Sequence, residues 1–225
     1  MVELEQKLTK IVSLEEVRQM SIATARKIRD TDFEPDIIVG LSRGGWIPAR
    51  LICDYLLVPD LVSMEVTHWG LPAEIGQEEA QLEHPFEVDL TGKNVLIVDD
   101  ITDTGESLEL ALNVVNKQDP NGVKTATMQY ITGSSIEPDF YTEKVDEWVW
   151  FLYPWCWMED LTGFVERIMK SQKEQSWSVD AINTMLKKYH EISVPEEELK
   201  EIVGTLEDQS KIVKKGKTWT WSDKQ

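Results

Sequence analysis

Residues 94–98, Asn94-Val-Leu-Ile-Val98, are almost entirely apolar and constrain the fold more than any other segment. A short β-branched run of this kind is typical of a strand that is buried on both faces. Further strands are predicted at 36–41, 61–66, 123–131 and 147–151. Apolar residues at helical spacing predict helices at 14–30, 46–57, 104–117, 158–173, 179–189 and 195–207. Alternating strands and helices predict an α/β fold with a mainly parallel, twisted sheet flanked by helices.

The 225 residues are enough for one domain with a small addition. We expect a main domain over residues 1–173 and an appendage over residues 174–225. The appendage contains two predicted helices and a hairpin that turns at Lys215-Gly216, which suggests a small winged-helix-like structure.

The formal net charge of −18 argues against a main domain that binds nucleic acid, because phosphate contacts need a basic surface. No apolar segment approaches the roughly 18 residues of a membrane span. The polar N-terminus has no signal-peptide pattern, so we expect a soluble, cytoplasmic protein. Cys53 and Cys156 lie in apolar segments, where reduced thiols are expected.

The predicted strand 94–98 continues into two adjacent acids and then into a small polar loop that opens a helix. Asp99 and Asp100, at the end of the strand, are placed to bind ribose hydroxyls or Mg²⁺, which prefers oxygen ligands. A helix N-terminus attracts phosphate through its unpaired N–H groups, and the residues around this one are Asp103, Thr104, Gly105, Glu106 and Ser107. The alternative is a strand, a turn and a helix N-cap without a ligand.

A second strand-to-helix turn occurs at Val39-Gly-Leu-Ser-Arg-Gly-Gly-Trp-Ile-Pro48. Backbone N–H groups of residues 43–45 could hold a diphosphate, with Arg43 as the charged partner. The predicted pyrophosphate-binding residues are Ser42, Arg43, Gly44 and Gly45. Alone, this pattern is equally typical of an ordinary turn.

Together, the two motifs resemble those of type I phosphoribosyltransferases. Residues 95–107 resemble the motif that binds 5-phosphoribosyl 1-pyrophosphate (PRPP), and residues 39–48 resemble the pyrophosphate loop. The resemblance covers about residues 14–160 and is closest to xanthine-guanine and archaeal-type purine enzymes. It implies the type I phosphoribosyltransferase fold, Mg²⁺ as cofactor, PRPP and a purine-like base as substrates, and a cis peptide at Ser42-Arg43.

The segment Trp150-Phe-Leu-Tyr-Pro-Trp155 resembles the family's hood, which we expect over residues 145–160. The resemblance implies that Trp150 stacks on the base, and backbone groups of Phe151 could read the base edge. It also implies that Asp103 handles the proton of the purine N7, which requires hydrogen-bond distance. The alternatives are that these tryptophans pack a core or an oligomer contact, and that Asp103 is a helix N-cap.

Two segments depart from the family pattern. Ile131, a candidate base-binding residue, falls about where many 6-oxopurine enzymes carry a lysine that reads the O6 atom. The loop 67–90 is expected to close over PRPP, but it carries His68, His84 and many acids where a basic residue is expected. The base is therefore left open.

Three functions are compatible with this sequence. The first is a purine-type phosphoribosyltransferase of nucleotide salvage that forms a homo-oligomer (dimer or tetramer) and has no membrane or nucleic-acid partner. The second is a regulator that senses PRPP and binds DNA or a protein through residues 174–225. The third is a catalytically silent subunit of an assembly. Asp103 and Trp150 favour the enzyme, whereas the missing lysine and the appendage favour the sensor.

Overall fold

The computed structural model of the protein describes residues 8–67 and 80–222. These residues form two compact units. The sheet unit comprises residues 13–67 and 80–148, and the C-terminal unit comprises residues 8–12 and 149–222. Most of the predicted hood segment thus lies in the same unit as the predicted appendage.

The helices are α1 (Leu14–Arg29), α2 (Trp46–Leu56), α3 (Glu106–Asn116), α4 (Trp157–Ser171), α5 (Val179–His190) and α6 (Glu196–Asp208). The strands are β1 (Thr9–Ile11), β2 (Ile37–Ser42), β3 (Asp60–Thr67), β4 (Gln81–Leu82), β5 (Asn94–Val98), β6 (Ile101–Thr102), β7 (Gly122–Ile131), β8 (Phe140–Val145), β9 (Trp150–Leu152), β10 (Ile212–Lys215) and β11 (Thr218–Trp221). Each predicted helix is confirmed, with ends that differ by at most about two residues.

The strand prediction was wrong between β7 and α4. The strand expected over 147–151 begins only at Trp150, and the preceding strand β8 was not predicted. In β8 the charged residues Glu143 and Lys144 follow Thr142, so the apolar pattern is weak. Such a composition is tolerated because, within the described residues, β8 pairs only with β7.

Residues 80–90 are more ordered than the sequence suggested. Leu82, Phe86 and Val88 pack against the apolar core on one side of the sheet, and Leu90 is fully buried within it. The acids between them, Glu87 and Asp89, are exposed. His68 and the rest of the predicted lid, residues 68–79, lie outside the described residues.

The sheet unit contains a mostly parallel sheet with the strand order β4-β3-β2-β5-β7, and both β6 and β8 also pair with β7. Every pairing is parallel except that of β3 with β4. Parallel sheets need cover on both faces, because their crossover connections place helices there. This arrangement confirms the predicted α/β class.

Alternate residues of β2 and β5 point to opposite faces of the sheet. Ile37, Val39 and Leu41 pack with Val95, Ile97 and α3 residues such as Leu108 on one face. On the other face Ile38, Leu96 and Val98 pack with α1 and α2 residues such as Ile28 and Ile52. Burial on both faces explains why the sequence of β5 is uniformly apolar.

The C-terminal unit has its own apolar core. Its buried residues come from β9, α4, α5, α6 and β10, with Trp177 among the largest. The strands β1 and β9 pair in parallel, and β10 and β11 form the predicted antiparallel hairpin with Gly216 at positive φ. The winged-helix-like assignment of this region remains a prediction.

Both cysteines are free thiols, as expected, and Cys53 is buried. Burial raises the pKa of Cys53 to about 11, so its thiol stays protonated and unreactive. Among residues 8–67 and 80–222, no helix has the length and apolar character needed to cross a bilayer.

Replacing Leu96 with alanine should lower the free energy of unfolding by about 2–5 kcal/mol, because the change opens a cavity beneath α1 and α2. Leu57→Ala is the matched control, since the Leu57 side chain is 86% exposed and its loss should cost less than about 0.5 kcal/mol. Urea unfolding of both variants measures the difference. Equal losses would contradict the placement of Leu96 in the core.

Candidate functional site

The two motif loops leave neighbouring strands at the same edge of the sheet. β2 and β5 pair in parallel, with Val39 opposite Ile97 and Gly40 opposite Val98. From β2 the chain continues through α2 to β3 on one side, while β5 lies on the other side. In open parallel sheets, the crevice at such a change of direction is the usual ligand site.

Gly44 and Gly45 allow the first loop to contact the second. A β-carbon at Gly44 would overlap the carboxylate of Asp100, with Oδ1 only 2.9 Å away. A β-carbon at Gly45 would lie 2.5 Å from the carbonyl oxygen of Val98 and 2.7 Å from that of Leu41. The absence of side chains at both positions therefore brings the predicted pyrophosphate loop against the acid pair.

The peptide bond between Ser42 and Arg43 is cis, as the family resemblance implies. Ser42 ends β2, and its hydroxyl accepts a hydrogen bond from the Ser63 hydroxyl at 3.0 Å. The indole N–H of Trp46 donates to Ser63 at 2.6 Å, and the Arg43 side chain is exposed. Sequence reasoning missed Ser63 and Trp46, which link the loop to the neighbouring strand β3.

Asp99 and Asp100 lie between β5 and β6, which both pair with β7. The backbone stays bonded to β7 here, since the Asp99 N–H donates to the carbonyl oxygen of Ala126 and the Asp100 carbonyl oxygen accepts from the Met128 N–H, both at 3.0 Å. The backbone N–H of Asp100 donates to Oδ1 of Asp99 at 2.9 Å, and that of Ile101 donates to Oδ1 of Asp100 at 2.8 Å. Burial, and secondarily the nearby Asp100 carboxylate, raise the pKa of Asp99 well above its usual range. The site therefore favours a bound cation or proton.

The acid pair fits a magnesium ion in its chemistry. Mg²⁺ is commonly held by one or two carboxylates, with phosphate oxygens of a substrate and water as further ligands. Asp99 and Asp100 supply that number, and the described residues contain no larger cluster of acids, histidines or cysteines that could hold a metal. A cation at this position would thus depend on oxygen atoms from the ligand.

The second loop ends at a glycine, Gly105, that precedes helix α3. Gly105, at φ 95°, is the N-cap of α3 and has no side chain to cap the first turn. The hydroxyl of Thr104 accepts a hydrogen bond from the Glu106 N–H at 3.4 Å, and Ser107 is partly buried in the first turn. The alternative that Asp103 is the helix N-cap is therefore wrong, because that position belongs to Gly105.

Residues 132–136, which follow β7, support the second loop and were not predicted from the sequence. The N–H of Ser135 donates to the carbonyl oxygen of Thr104 at 2.8 Å, and the Ser135 hydroxyl donates to Glu109 at 2.8 Å. A β-carbon at Gly105 would lie 2.6 Å from the hydroxyl oxygens of both Ser134 and Ser135. The only sequence signal was the run of small residues at 132–135.

The side chain of Asp103 is exposed at the start of this loop. Its Oδ2 accepts a hydrogen bond from the indole N–H of Trp148 at 3.3 Å. Sequence reasoning did not assign Trp148 to the site. The contact joins residues that are 45 positions apart in the chain, so no local pattern could have indicated it.

The predicted base-binding residues lie in both units. Trp150 and Phe151 belong to β9 of the C-terminal unit, where the Trp150 indole N–H donates to Asp160 at 3.0 Å and its ring meets Phe164 edge-on. Ile131 ends β7 in the sheet unit and is only 5% exposed. The structure thus brings together residues 42–45 and 99–107, while base contacts of Trp150 and Phe151 remain predictions.

Replacing Asp99 with asparagine should stabilise the protein near neutral pH. A carboxyl whose pKa is raised on folding adds stability at pH values below its unfolded pKa, and this contribution is lost as the pH rises through the folded value. The increase in the free energy of unfolding of the variant should therefore shrink as the pH falls towards the ordinary aspartate pKa of about 3.9. Thermal unfolding across this pH range tests the expectation, with Asp32→Asn as an exposed control. A pH-independent gain would contradict it.

Comparisons with known proteins agree with this geometry. The family model described as "Phosphoribosyl transferase domain" matches residues 9–160. A hypoxanthine-guanine phosphoribosyltransferase from Schizosaccharomyces pombe is 27% identical over 179 residues, which is 64% of this chain and 86% of that protein. A xanthine-guanine phosphoribosyltransferase from Desulfotalea psychrophila is 28% identical over 149 residues, which is 66% of this chain and 87% of that protein.

A solved structure gives the same result for the fold. The crystal structure of the purine phosphoribosyltransferase from Pyrococcus horikoshii is similar with a TM-score of 0.57 and 30% identity, over 65% of this chain and 93% of that one. The family model covers more than half of the chain, and it includes both motif loops. The chain therefore belongs to the type I phosphoribosyltransferase family.

Proposed function

We propose that this protein is a purine phosphoribosyltransferase, which transfers the 5-phosphoribosyl group of PRPP to a nitrogen of a purine-like base and releases pyrophosphate. The observation that carries the proposal is the close packing of Gly44 against Asp100 at the ends of adjacent strands. This packing supports a single ligand that has a diphosphate and ribose hydroxyls within a few ångströms of each other, as PRPP has.

Each part of PRPP has a matching group in the sheet unit. The backbone N–H groups of Arg43 and Gly44 and the Arg43 side chain would bind the diphosphate. The N–H of Gly45, which the sequence also suggested, donates instead to the carbonyl oxygen of Leu41 at 2.9 Å. Asp99 and Asp100 would accept hydrogen bonds from the ribose hydroxyls. The 5-phosphate would lie at the N-terminus of α3, where the N-cap Gly105 has no side chain, with the Thr104 and Ser107 hydroxyls beside it. The Glu106 N–H at this helix end donates to the Thr104 hydroxyl at 3.4 Å.

The reaction forms a bond between C1 of the ribose and the base nitrogen and breaks the bond between C1 and pyrophosphate. The electron pair of the broken bond leaves with the pyrophosphate, and Arg43 and the N–H groups of the glycine loop would stabilise that charge. Mg²⁺ held by Asp99 and Asp100 would add electrostatic stabilisation when it is bound. Asp103 would accept the proton that the base nitrogen loses.

The residues that would contact the base define its class as purine-like. The side chain of Ile131, buried at the end of β7, has no donor for an O6 atom, so we propose a purine-like base without assigning its 6-substituent. Trp150 would stack on the base and Phe151 would read its edge. We also propose a role in cytoplasmic nucleotide salvage as a homo-oligomer, as the sequence analysis suggests.

The alternative of a DNA-binding regulator receives less support from the C-terminal unit. Helix α6 begins with three acids, Glu196, Glu197 and Glu198, all of which disfavour DNA phosphates. Lys200 forms an ion pair with Glu196 at 2.6 Å, and Lys211 forms one with Glu166 at 2.7 Å. These pairs reduce the positive charge that the lysines of this unit offer to a polyanion.

Incubation with PRPP, Mg²⁺ and each of hypoxanthine, guanine, xanthine and adenine should release pyrophosphate with at least one base. The Asp103→Asn variant should lower kcat by about 100-fold while PRPP affinity changes little, because an amide cannot accept the proton. Asp100→Ala should reduce both. No pyrophosphate with any base would contradict the proposed function, and full activity of Asp103→Asn would contradict the role of Asp103.

Replacing Gly44 with alanine should lower kcat/KM for PRPP by about 100-fold, because the new methyl group displaces Asp100 from the loop. Gly204→Ala in α6 is the control, since a β-carbon there meets no atom within 4 Å. Steady-state kinetics with PRPP as the varied substrate measures the effect. Unchanged kinetics in the Gly44 variant would show that the glycine-acid contact is not needed.

A further inference from the structure

Trp148 forms a hydrogen bond with Asp103, the proposed proton acceptor. The indole Nε1 of Trp148 donates to Oδ2 of Asp103 at 3.3 Å. Trp148 lies three residues beyond the end of β8, and its side chain is 38% exposed. Both residues belong to the sheet unit. The hydrogen bond places the large, partly exposed side chain of Trp148 beside the second loop.

Contacts from the segment that follows β7 act on the backbone of this loop. Ser135 binds the carbonyl oxygen of Thr104, and the hydroxyl oxygens of Ser134 and Ser135 lie against Gly105. These contacts fix where the loop runs, but a carboxylate on a fixed backbone still has rotational freedom about its side-chain bonds. The indole N–H contacts the Asp103 carboxylate itself and therefore restricts its rotation.

The chemical nature of this donor suits a carboxylate that must accept a proton. An indole N–H is a neutral donor that cannot accept a hydrogen bond, so it occupies one carboxylate oxygen without neutralising the charge. At the end of β7, where the resemblance implies a lysine, the side chain of Ile131 has no hydrogen-bond donor. Trp148, which follows β8, does have a side-chain donor, and this donor contacts Asp103.

We propose that Trp148 is a positioning residue for Asp103. By holding Oδ2, its indole N–H presents Oδ1 to the nitrogen of the base that loses the proton. This inference rests on the proposed function, in which Asp103 accepts that proton. Substitution of Trp148 should therefore slow turnover and leave PRPP binding intact, because the residue acts on the carboxylate and not on the phosphate groups.

Kinetics of two Trp148 variants tests this role. Trp148→Phe keeps an aromatic ring but removes the N–H, and it should lower kcat by about tenfold with KM for PRPP within about twofold of the wild type. Trp148→His places Nε2 of its five-membered ring where the indole carries Nε1, and it should bring kcat back to within about threefold of the wild type. Trp148 is partly exposed, so neither change should greatly alter the melting temperature.

Trp219→Phe is the matched control. It also removes an indole N–H that donates to a carboxylate, that of Glu207 at 3.1 Å, but in the C-terminal unit and outside the family match. Its kinetics should equal those of the wild type. A Trp148→Phe variant with wild-type kcat, or a histidine variant as slow as the phenylalanine variant, would overturn the inference. Inactivity of the wild type with every base would overturn the proposed function and this inference with it.

A spectroscopic measurement tests the hydrogen bond without reference to activity. The chain has nine tryptophans. In NMR spectra, the indole N–H resonance that is absent from the Trp148→Phe variant is assigned to Trp148. In Asp103→Ala this same resonance should shift by more than the other indole resonances, because it loses its acceptor. An unchanged Trp148 resonance would overturn the inference even in an active enzyme.

Discussion

The parallel pairing of β2 with β5 is the contact on which the candidate site depends. Its register places Gly40 opposite Val98, so the two loops that follow start at the same height on the same edge of the sheet. The strands are held in place from both faces, by α3 on one and by α1 and α2 on the other. The precision of the site thus comes from a core that contains no catalytic side chain.

Local sequence patterns predicted the parts of the fold that have a single strong signal. The strand 94–98 was predicted with its correct ends because it is buried on both faces, and the capping box of α1, Ser13 with Glu16, marks the start of that helix. β8 was missed because an edge strand tolerates Glu143 and Lys144. The pairing of β1 with β9 was missed because it joins segments about 140 residues apart.

The same distinction separates the predicted and unpredicted parts of the site. Residues 42–45 and 99–107 were predicted because each signal lies in one short stretch, an arginine with two glycines in the first loop and acids with a glycine in the second. The contacts of Ser135 and Trp148 with the second loop depend on how β7 and β8 end beside it, which no local pattern reports. The net charge of −18 likewise gave no information on this site, because helix ends and backbone N–H groups can hold an anion locally.

The glycine N-caps of α2 and α3 have a thermodynamic consequence. Gly45 and Gly105 contribute no side-chain hydrogen bond to the helices that they begin, although a serine or aspartate at an N-cap is typically worth about 1 kcal/mol. A phosphate at either end would complete the helix in place of a side chain, so occupancy and stability are linked. A ligand at 100 times its Kd stabilises a fold by about 2.7 kcal/mol. In a cell rich in such a ligand, binding at these helix ends would protect the protein from unfolding.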